Sequence, residues 1–315
     1  MRRAISFSCA IVALMFLVSL ASRLYESAHA ESGEPSGAPL DFIGAWGTHG
    51  DGPGQLDDPI SISADVIGNI YVVDAGSRFI HKFDAQGTPL LSFQEDPLKH
   101  PQWVTVDRGE VIYVSDPVRN SVFICLPTGV RDRYHELRLR ARAGKQNQLS
   151  VAVEDDGLIY VLDSNAAKVF TFNTRMRLTG TWVPSIASQG SKISPGPFEI
   201  GPDGNFYIAQ ATNGHIFKYS PEKRFVTEIY LAGDGARGKL SSQFAVSKNY
   251  LFAMDTDGRM LHVFTLDGVS KLDLDLAPEL GQAARPVPPL AVSPRGELLV
   301  LDGPESRVLR FRINF

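Results

Sequence analysis

The chain has 315 residues and a mass of 34.4 kDa, enough for one large domain or two of ordinary size. Apolar residues make up 43% and charged residues 21%, which excludes collagen-like and fully disordered chains. A net charge of −4 and a pI of about 6.0 argue against nucleic acid as a partner, and two cysteines exclude a disulfide scaffold or a multi-cysteine zinc or iron–sulfur site.

The first thirty residues read as an export signal. Arg2 and Arg3 precede an uncharged run of 17 residues, Ile5 to Ala21, and a polar stretch ends in Ala28-His29-Ala30. Cleavage after Ala30 is expected. The alternative is a retained membrane anchor, because 17 apolar residues sit at the lower limit for spanning a bilayer. A lipoprotein signal is rejected, since Cys9 lies too early and inside the apolar run. Either way the body is exported, to a periplasmic or extracellular space. Taking Arg2, Arg3, Arg23 and Glu26 from the 31 basic and 35 acidic residues leaves 28 and 34, a net charge of −6. Only Cys125 then remains, so packing alone must hold the fold. Residues 31–40 are rich in Ser, Gly and Pro and read as a flexible spacer.

From residue 41 onward one unit recurs: an aromatic or apolar residue, two further residues, then Asp. It appears as Tyr71–Asp74, Tyr113–Asp116, Tyr160–Asp163, Tyr207–Gln210, Phe252–Asp255 and Leu299–Asp302, with spacings of 42, 47, 47, 45 and 47 residues. Six residues past each anchor lies Ile80, Val122, Val169, Ile216, Leu261 or Val308. Nine past it lies Phe83, Cys125, Phe172, Tyr219, Phe264 or Phe311. Short apolar runs precede each anchor, and Gly68, Gly157, Gly204 and Gly296 punctuate the turn between. Period-2 segments bounded by Gly, Asn, Asp and Pro are strands in hairpins. Four strands in a repeat of about 45 residues predict an all-β, six-bladed β-propeller over residues 41–315.

Blades one to five each show a fourth strand, such as Leu137 to Ala141 or Lys271 to Leu276, but blade six stops after its third. The missing strand is available at about 41–46, Asp41-Phe-Ile-Gly-Ala-Trp46. It is predicted to pair with the C-terminal strands and lock the ring.

The stretch Gly50 to Phe83 resembles the NHL repeat family. It carries GDGPGQL-x-x-P, then Gly68-Asn69-Ile-Tyr-Val-Val-Asp74, then Ile80 and Phe83. Gly233-Asp-Gly-Ala-Arg-Gly-Lys-Leu240 echoes the lead-in. The family's Asn three past the Asp appears as Asn213, and its Arg five past the Asp as Arg307, with Lys168 similar. The resemblance implies a six-bladed propeller, often a binding platform. Some relatives of that architecture are metal-dependent lyases or lactonases, and a fold does not fix a function.

The candidate chemistry is weak by comparison. Asp74, Asp116, Asp163, Asp255 and Asp302 end the second strand of separate blades, where turn Asp residues bond backbone N–H groups. His81 and His262 fall on blades one and five, too far apart to share a metal. No H-x-H or H-E-x-x-H pattern arises from His49, His100 or His215. The acidic turns at Asp155-Asp156-Gly157 and Asp255-Thr-Asp257-Gly258 lack the remainder of a calcium loop. Gly50 to Gly54 lacks the Gly-Lys-Ser/Thr ending of a phosphate loop and reads as an interblade connection, and no Gly-x-Ser-x-Gly elbow is present. The basic run Arg131 to Lys145 reads as a charged outer strand that resists edge pairing, or else as a contact for an anionic partner. Asp273 and Asp275 would play the same edge role with opposite sign. Cys125 reads as a small buried hydrophobe.

A ligand is expected on the face that carries the post-anchor turns and the lead-in loops. The candidates there are Arg78, Trp103, Arg119, Asn165, Asn213, Arg259 and Glu305, a polar mixture suited to peptides. The leading expectation is an exported, monomeric, non-catalytic interaction module without a cofactor. Its partner would be a protein, peptide or cell-envelope component, with the membrane touched only through the N-terminal segment. The alternative is a hydrolase or lyase with a calcium or zinc ion in the central channel. A carbohydrate binder is a third possibility, little supported by three Trp residues.

Overall fold

In a computed structural model of the chain the described residues are 39–94, 98–139, 148–185, 195–210, 214–231, 239–280 and 286–314, without the side chains of 131–135. The export segment, residues 31–38 of the spacer and residues 233–238 of the second Gly-rich lead-in lie outside them. No helix among the described residues is long and apolar enough to cross a membrane.

Among the described residues twenty-four strands form six four-stranded antiparallel sheets. Strand β1 is Leu40–Trp46. Blade one is β2 (Pro59–Ala64), β3 (Ile70–Asp74), β4 (Ile80–Phe83) and β5 (Pro89–Phe93). Blade two is β6 (Trp103–Val106), β7 (Ile112–Asp116), β8 (Ser121–Cys125) and β9 (Arg131–Arg138). Blade three is β10 (Leu149–Val153), β11 (Ile159–Asp163), β12 (Lys168–Phe172) and β13 (Leu178–Trp182). Blade four is β14 (Pro195–Ile200), β15 (Phe206–Gln210), β16 (His215–Tyr219) and β17 (Phe225–Ile229). Blade five is β18 (Leu240–Val246), β19 (Tyr250–Asp255), β20 (Met260–Thr265) and β21 (Ser270–Asp275), followed by the helical turn α1 (Ala277–Leu280). Blade six is β22 (Leu290–Val292), β23 (Glu297–Asp302) and β24 (Arg307–Ile313), and its fourth strand is β1, in the order β1-β24-β23-β22.

The first strands β2, β6, β10, β14, β18 and β22 each touch the next, and β22 returns to β2, so the ring is closed. The second strands are buried except for one end residue in blades four, five and six, because both faces pack on neighbouring blades. That double burial explains why they read as continuous apolar runs. Between blades the anchor aromatics and aliphatics interlock, as where Tyr160 meets Phe206 edge-on at 5.0 Å. Phe42–Ile313 is one compact unit. Residues 39–41 with Asn314 fall in a second, within which Asn314 N donates to Pro39 O at 3.1 Å and Asn314 Nδ2 to Asp41 Oδ2 at 2.8 Å.

Two strand boundaries differ from expectation. The fourth strand of blade two is Arg131–Arg138 rather than 137–141, with Ala141 outside the described residues. It begins directly after the tight turn that Leu126 N closes on Val130 O at 2.9 Å. The first half of the strand, Arg131-Asp-Arg-Tyr134, shows no apolar alternation by which it could be read. Its inward residues Leu137 and Leu139 are buried as expected. The blade five strand runs Ser270–Asp275 rather than 271–276. There Asp273 and Asp275 are more than edge charges: Asp273 Oδ1 lies 2.7 Å from His262 Nδ1, and Asp275 pairs with Arg259.

The closing strand is keyed into blade one. Trp46 packs tilted against Phe83 at 4.7 Å, and a Cβ at Gly87, where φ is 88°, would clash with the Trp46 ring. Phe42 packs on Phe311 at 5.5 Å. Trp46→Ala is expected to cost about 3 kcal/mol through the void it leaves. Gly87→Ala should cost at least about 2 kcal/mol by clash and backbone strain. Urea denaturation of each variant checks both, and equal stability with the parent would contradict the keyed closure.

Candidate functional site

The repeated Asp positions form hydrogen-bond hubs of their own blades. Asp74 accepts from Asp57 N and Asp58 N at 2.8 Å each, from Gly76 N at 3.1 Å and from Ser77 Oγ at 2.9 Å. Asp116 accepts from Lys99 N, His100 N and Arg119 N, Asp163 from Ala166 N, Asp255 from Arg259 N and Met260 N, and Asp302 from Arg307 Nε. Each fastens the turn between the second and third strands, and in blades one and two the lead-in loop as well. Burial pushes the Asp74 carboxyl up, but the His81 imidazole 3.8 Å away and hydrogen bonds from Asp57 N, Asp58 N and Ser77 outweigh it and hold it well below the carboxylate range.

A second tie joins the turn after each first strand to the anchor aromatic. Tyr71 OH donates to Asp65, Tyr113 OH to Asp107, Tyr160 OH to Glu154 and Tyr207 OH to Asp203, at 2.8–3.2 Å. Where the aromatic becomes Phe252 or Leu299 and loses its hydroxyl, that turn carries Ser247 or Ser293 in place of an acid.

The central channel is walled by the first strands of all six blades, with a cavity of about 240 Å³. A first strand has one sheet partner, so its inner edge presents unpaired backbone groups. Side chains from the preceding blade cover several. Ser61 Oγ accepts from Val104 N at 3.3 Å, Trp103 Nε1 donates to Val151 O at 3.1 Å, and Glu199 Oε2 accepts from Val246 N at 3.0 Å. Opposite the anchor aromatics the register places Ser63, Thr105, Ala152, Glu199, Ala245 and Ala291. Five are small and one is Glu199, the ionisable side chain of the described channel wall. Enclosure raises its carboxyl to about 8, against the single backbone hydrogen bond from Val246, so it is largely protonated at neutral pH. Sequence reasoning missed it. The signal was the lone long acid at a position otherwise held by Ser, Thr and Ala.

On the lead-in face two hollows of about 380 and 300 Å³ adjoin at Ile60. The larger is walled by Pro59, Pro286, Pro288, Pro289 and Pro304, with His49 Nδ1 3.1 Å from Ser306 Oγ at its edge. The smaller lies between Ala75, His100, Pro101, Pro117 and Val118. Together they cross the lead-ins of blades six, one and two.

The expected site residues fall into three groups. Arg78, Arg119 and Glu305 are exposed on turns that also supply lining residues of these hollows. Arg119 follows Val118, Glu305 lies between Pro304 and Ser306, and Arg78 belongs to the turn that starts at Ala75. Asn165 and Arg259 are exposed on turns of blades three and five, and Arg259 holds Asp275 in a two-point ion pair that lowers the carboxyl to about 2. Trp103 lines the channel with its N–H engaged on Val151 O. Asn213 lies outside the described residues. Cys125 is buried, as expected. The acidic turns close as hairpins, with Gly157 N on Glu154 O and Gly258 N on Asp255 O. Gly50–Gly54 connects β1 to β2. Among the described residues no three His, Cys, Asp or Glu side chains gather where they could hold a metal ion.

Two predictions follow from this chemistry. Both Asp74 oxygens accept hydrogen bonds, whereas the two bonds to Asp255 both end on Oδ1. Asp74→Asn is therefore expected to cost about 2–3 kcal/mol and Asp255→Asn under about 1 kcal/mol, and denaturation titrations that show the reverse order would contradict the hub geometry. For Glu199 the folded chain keeps a proton that the unfolded chain releases, so its contribution to stability falls as pH rises from 4.5 to about 8. Glu199→Gln should match the parent near pH 4.5 and exceed it by about 1–3 kcal/mol at pH 8. A gap independent of pH would show that the carboxyl titrates normally.

No family model matches the chain, and no curated protein matches its sequence. Solved structures do resemble it. A streptogramin B lyase superposes with a TM-score of 0.61 at 12% identity, covering 86% of this chain and 98% of that one. A virginiamycin B lyase from Staphylococcus aureus gives 0.56 at 11% identity, covering 88% and 89%. A protein of unknown function from Bacteroides thetaiotaomicron gives 0.60 at 12% identity, covering 87% and 76%. At such identities the likeness establishes the architecture alone: a six-bladed, all-β propeller.

Proposed function

We propose that this chain is an exported, non-catalytic binding module that receives an extended segment of a partner protein across the lead-in face of blades six, one and two. One observation carries the reading: two proline-walled hollows share Ile60 and form a single track. Proline walls are stiff, so the track loses little entropy when filled. The carboxylates of the exposed Asp57 and Asp58, with Arg78, Arg119 and Glu305 close by, supply polar contacts of both signs. Apolar walls with few placed polar groups suit side chains of an extended peptide. The likeness of blade one to NHL repeats supports the same use, and the Arg2 to Ala30 signal supports an exported location.

The solved lyases favour an enzyme only through their shared architecture, and the metal-dependent alternative lacks a gathered ligand set among the described residues. Selection of random peptides against the full protein tests the binding reading. Selected peptides should lose at least about tenfold in affinity to Pro288→Asp or Val118→Asp, and little to Val269→Asp on an outer turn. Selected peptides indifferent to both track variants would overturn it.

A further inference from the structure

The two hollows of the lead-in face differ in chemistry. Asp57 and Asp58 line the larger one, and no Lys or Arg does. Neither carboxylate has a hydrogen-bond or ion-pair partner among the described residues. Arg307, which follows the lining residue Ser306, is committed elsewhere, to Asp302 at 2.9 Å and to Glu279 O at 2.7 Å. The smaller hollow has no acid in its wall, which is mainly Ile60, Ala75, Pro101, Pro117 and Val118.

Backbone bonds hold both chemistries in place. Asp57 N and Asp58 N each donate to the Asp74 carboxylate at 2.8 Å, which fixes the stretch that carries the two acids. Ala75 N donates to Asp58 O at 2.8 Å and so ties that stretch to the wall of the smaller hollow. Two adjacent carboxylates without a countercharge favour a cation in the larger hollow. A hard divalent metal wants six to eight oxygen donors. A guanidinium or ammonium on an aliphatic stem fits better: the head meets the carboxylates and the stem lies on Pro59, Pro288 and Pro304. An extended chain sets residues i and i+2 on one side, about 6.6 Å apart. Hollows that adjoin at Ile60 suit two such neighbours.

We propose that the track selects a partner segment with a basic residue two positions from an aliphatic one, a specificity that rests on the binding reading above. The basic side chain seats in the larger hollow against Asp57 and Asp58, and the aliphatic one in the smaller. Both acids are exposed, so the pairing contributes selectivity more than strength, and salt weakens it.

Selection of random peptides against the full protein, followed by fluorescence anisotropy, tests this. Selected sequences should be enriched in Arg or Lys two positions from Leu, Ile or Val. The tightest peptide is then remade with citrulline for arginine, or norleucine for lysine. The neutral version should bind about three- to tenfold more weakly at low salt, and the gap should narrow as salt rises. Asp57→Asn/Asp58→Asn keeps both backbone N–H groups for Asp74 and should fold normally. It should bind the charged and neutral peptides equally while still preferring the aliphatic residue to serine. Peptides that need Pro288 and Val118 but show no basic enrichment, or bind equally well when neutral, would overturn this specificity and leave the binding reading standing. A charge preference unchanged in the double variant would also overturn it. Peptides indifferent to Pro288→Asp and Val118→Asp would overturn both readings. A dimer in sedimentation that Pro288→Asp dissociates would give the track to a second copy of the chain and overturn the proposal.

Discussion

The pairing of β1 with β24 is the constraint on which the rest depends. Five blades are made of consecutive strands, and each could form locally. The sixth borrows its outermost strand from a segment more than 250 residues away in sequence, which joins the two ends of the repeat array. Once β1 is in place β22 packs against β2, every blade face is covered, and the six inner edges surround one channel. Without it, a row of backbone donors and acceptors on β24 would stay open. The cost is long-range loop closure, and the gain is burial of two blade faces that no local contact could cover.

Inside the ring the same problem recurs at small scale and is met by side chains. Inner strands cannot pair across the channel, so Ser61, Trp103 and Glu199 each reach into the next blade and satisfy one exposed backbone group. Two of the three do so with groups that stay neutral at any ordinary pH. Glu199 is the exception, and its enclosure converts a structural bridge into a group that changes charge near neutral pH. The hubs around Asp74 and its counterparts, and the tyrosine–acid ties, hold the turns at the two ends of the channel in fixed positions. The face that carries the proline-walled track and the opposite face are thus set by the same repeat.

The fold was legible because the repeat is expressed in buried second strands, where aromatic, aliphatic and Asp positions are fixed by packing and turn chemistry. The closing strand was legible by counting. Outer strands were less so: Arg131–Arg138 opens with Arg131-Asp132-Arg133, which carries no apolar pattern. The anchor Asp residues were read correctly as turn bonders. The site was mostly hidden. Turn residues such as Arg78 and Asn165 look alike in sequence whether they meet a ligand or water, and Arg259 turned out to be occupied by Asp275. Trp103 lines the channel, with its N–H engaged on Val151 O of the next blade. Glu199 could be seen only once register aligned it with Ser63, Thr105 and Ala152, since its neighbours Phe198 and Ile200 make it look like the solvent face of an ordinary strand. The prolines at 286, 288 and 289 come against Pro59 and Ile60 only through the closed ring.

The most direct measurement is the titration of the Glu199 carboxyl carbon by NMR in selectively labelled protein, assigned through Glu199→Gln. Desolvation of Glu199 on the channel wall predicts a midpoint near 8. A midpoint near 4.5, the ordinary value of a glutamate carboxyl, would mean that the side chain is solvated in the channel and would contradict the desolvation read for it.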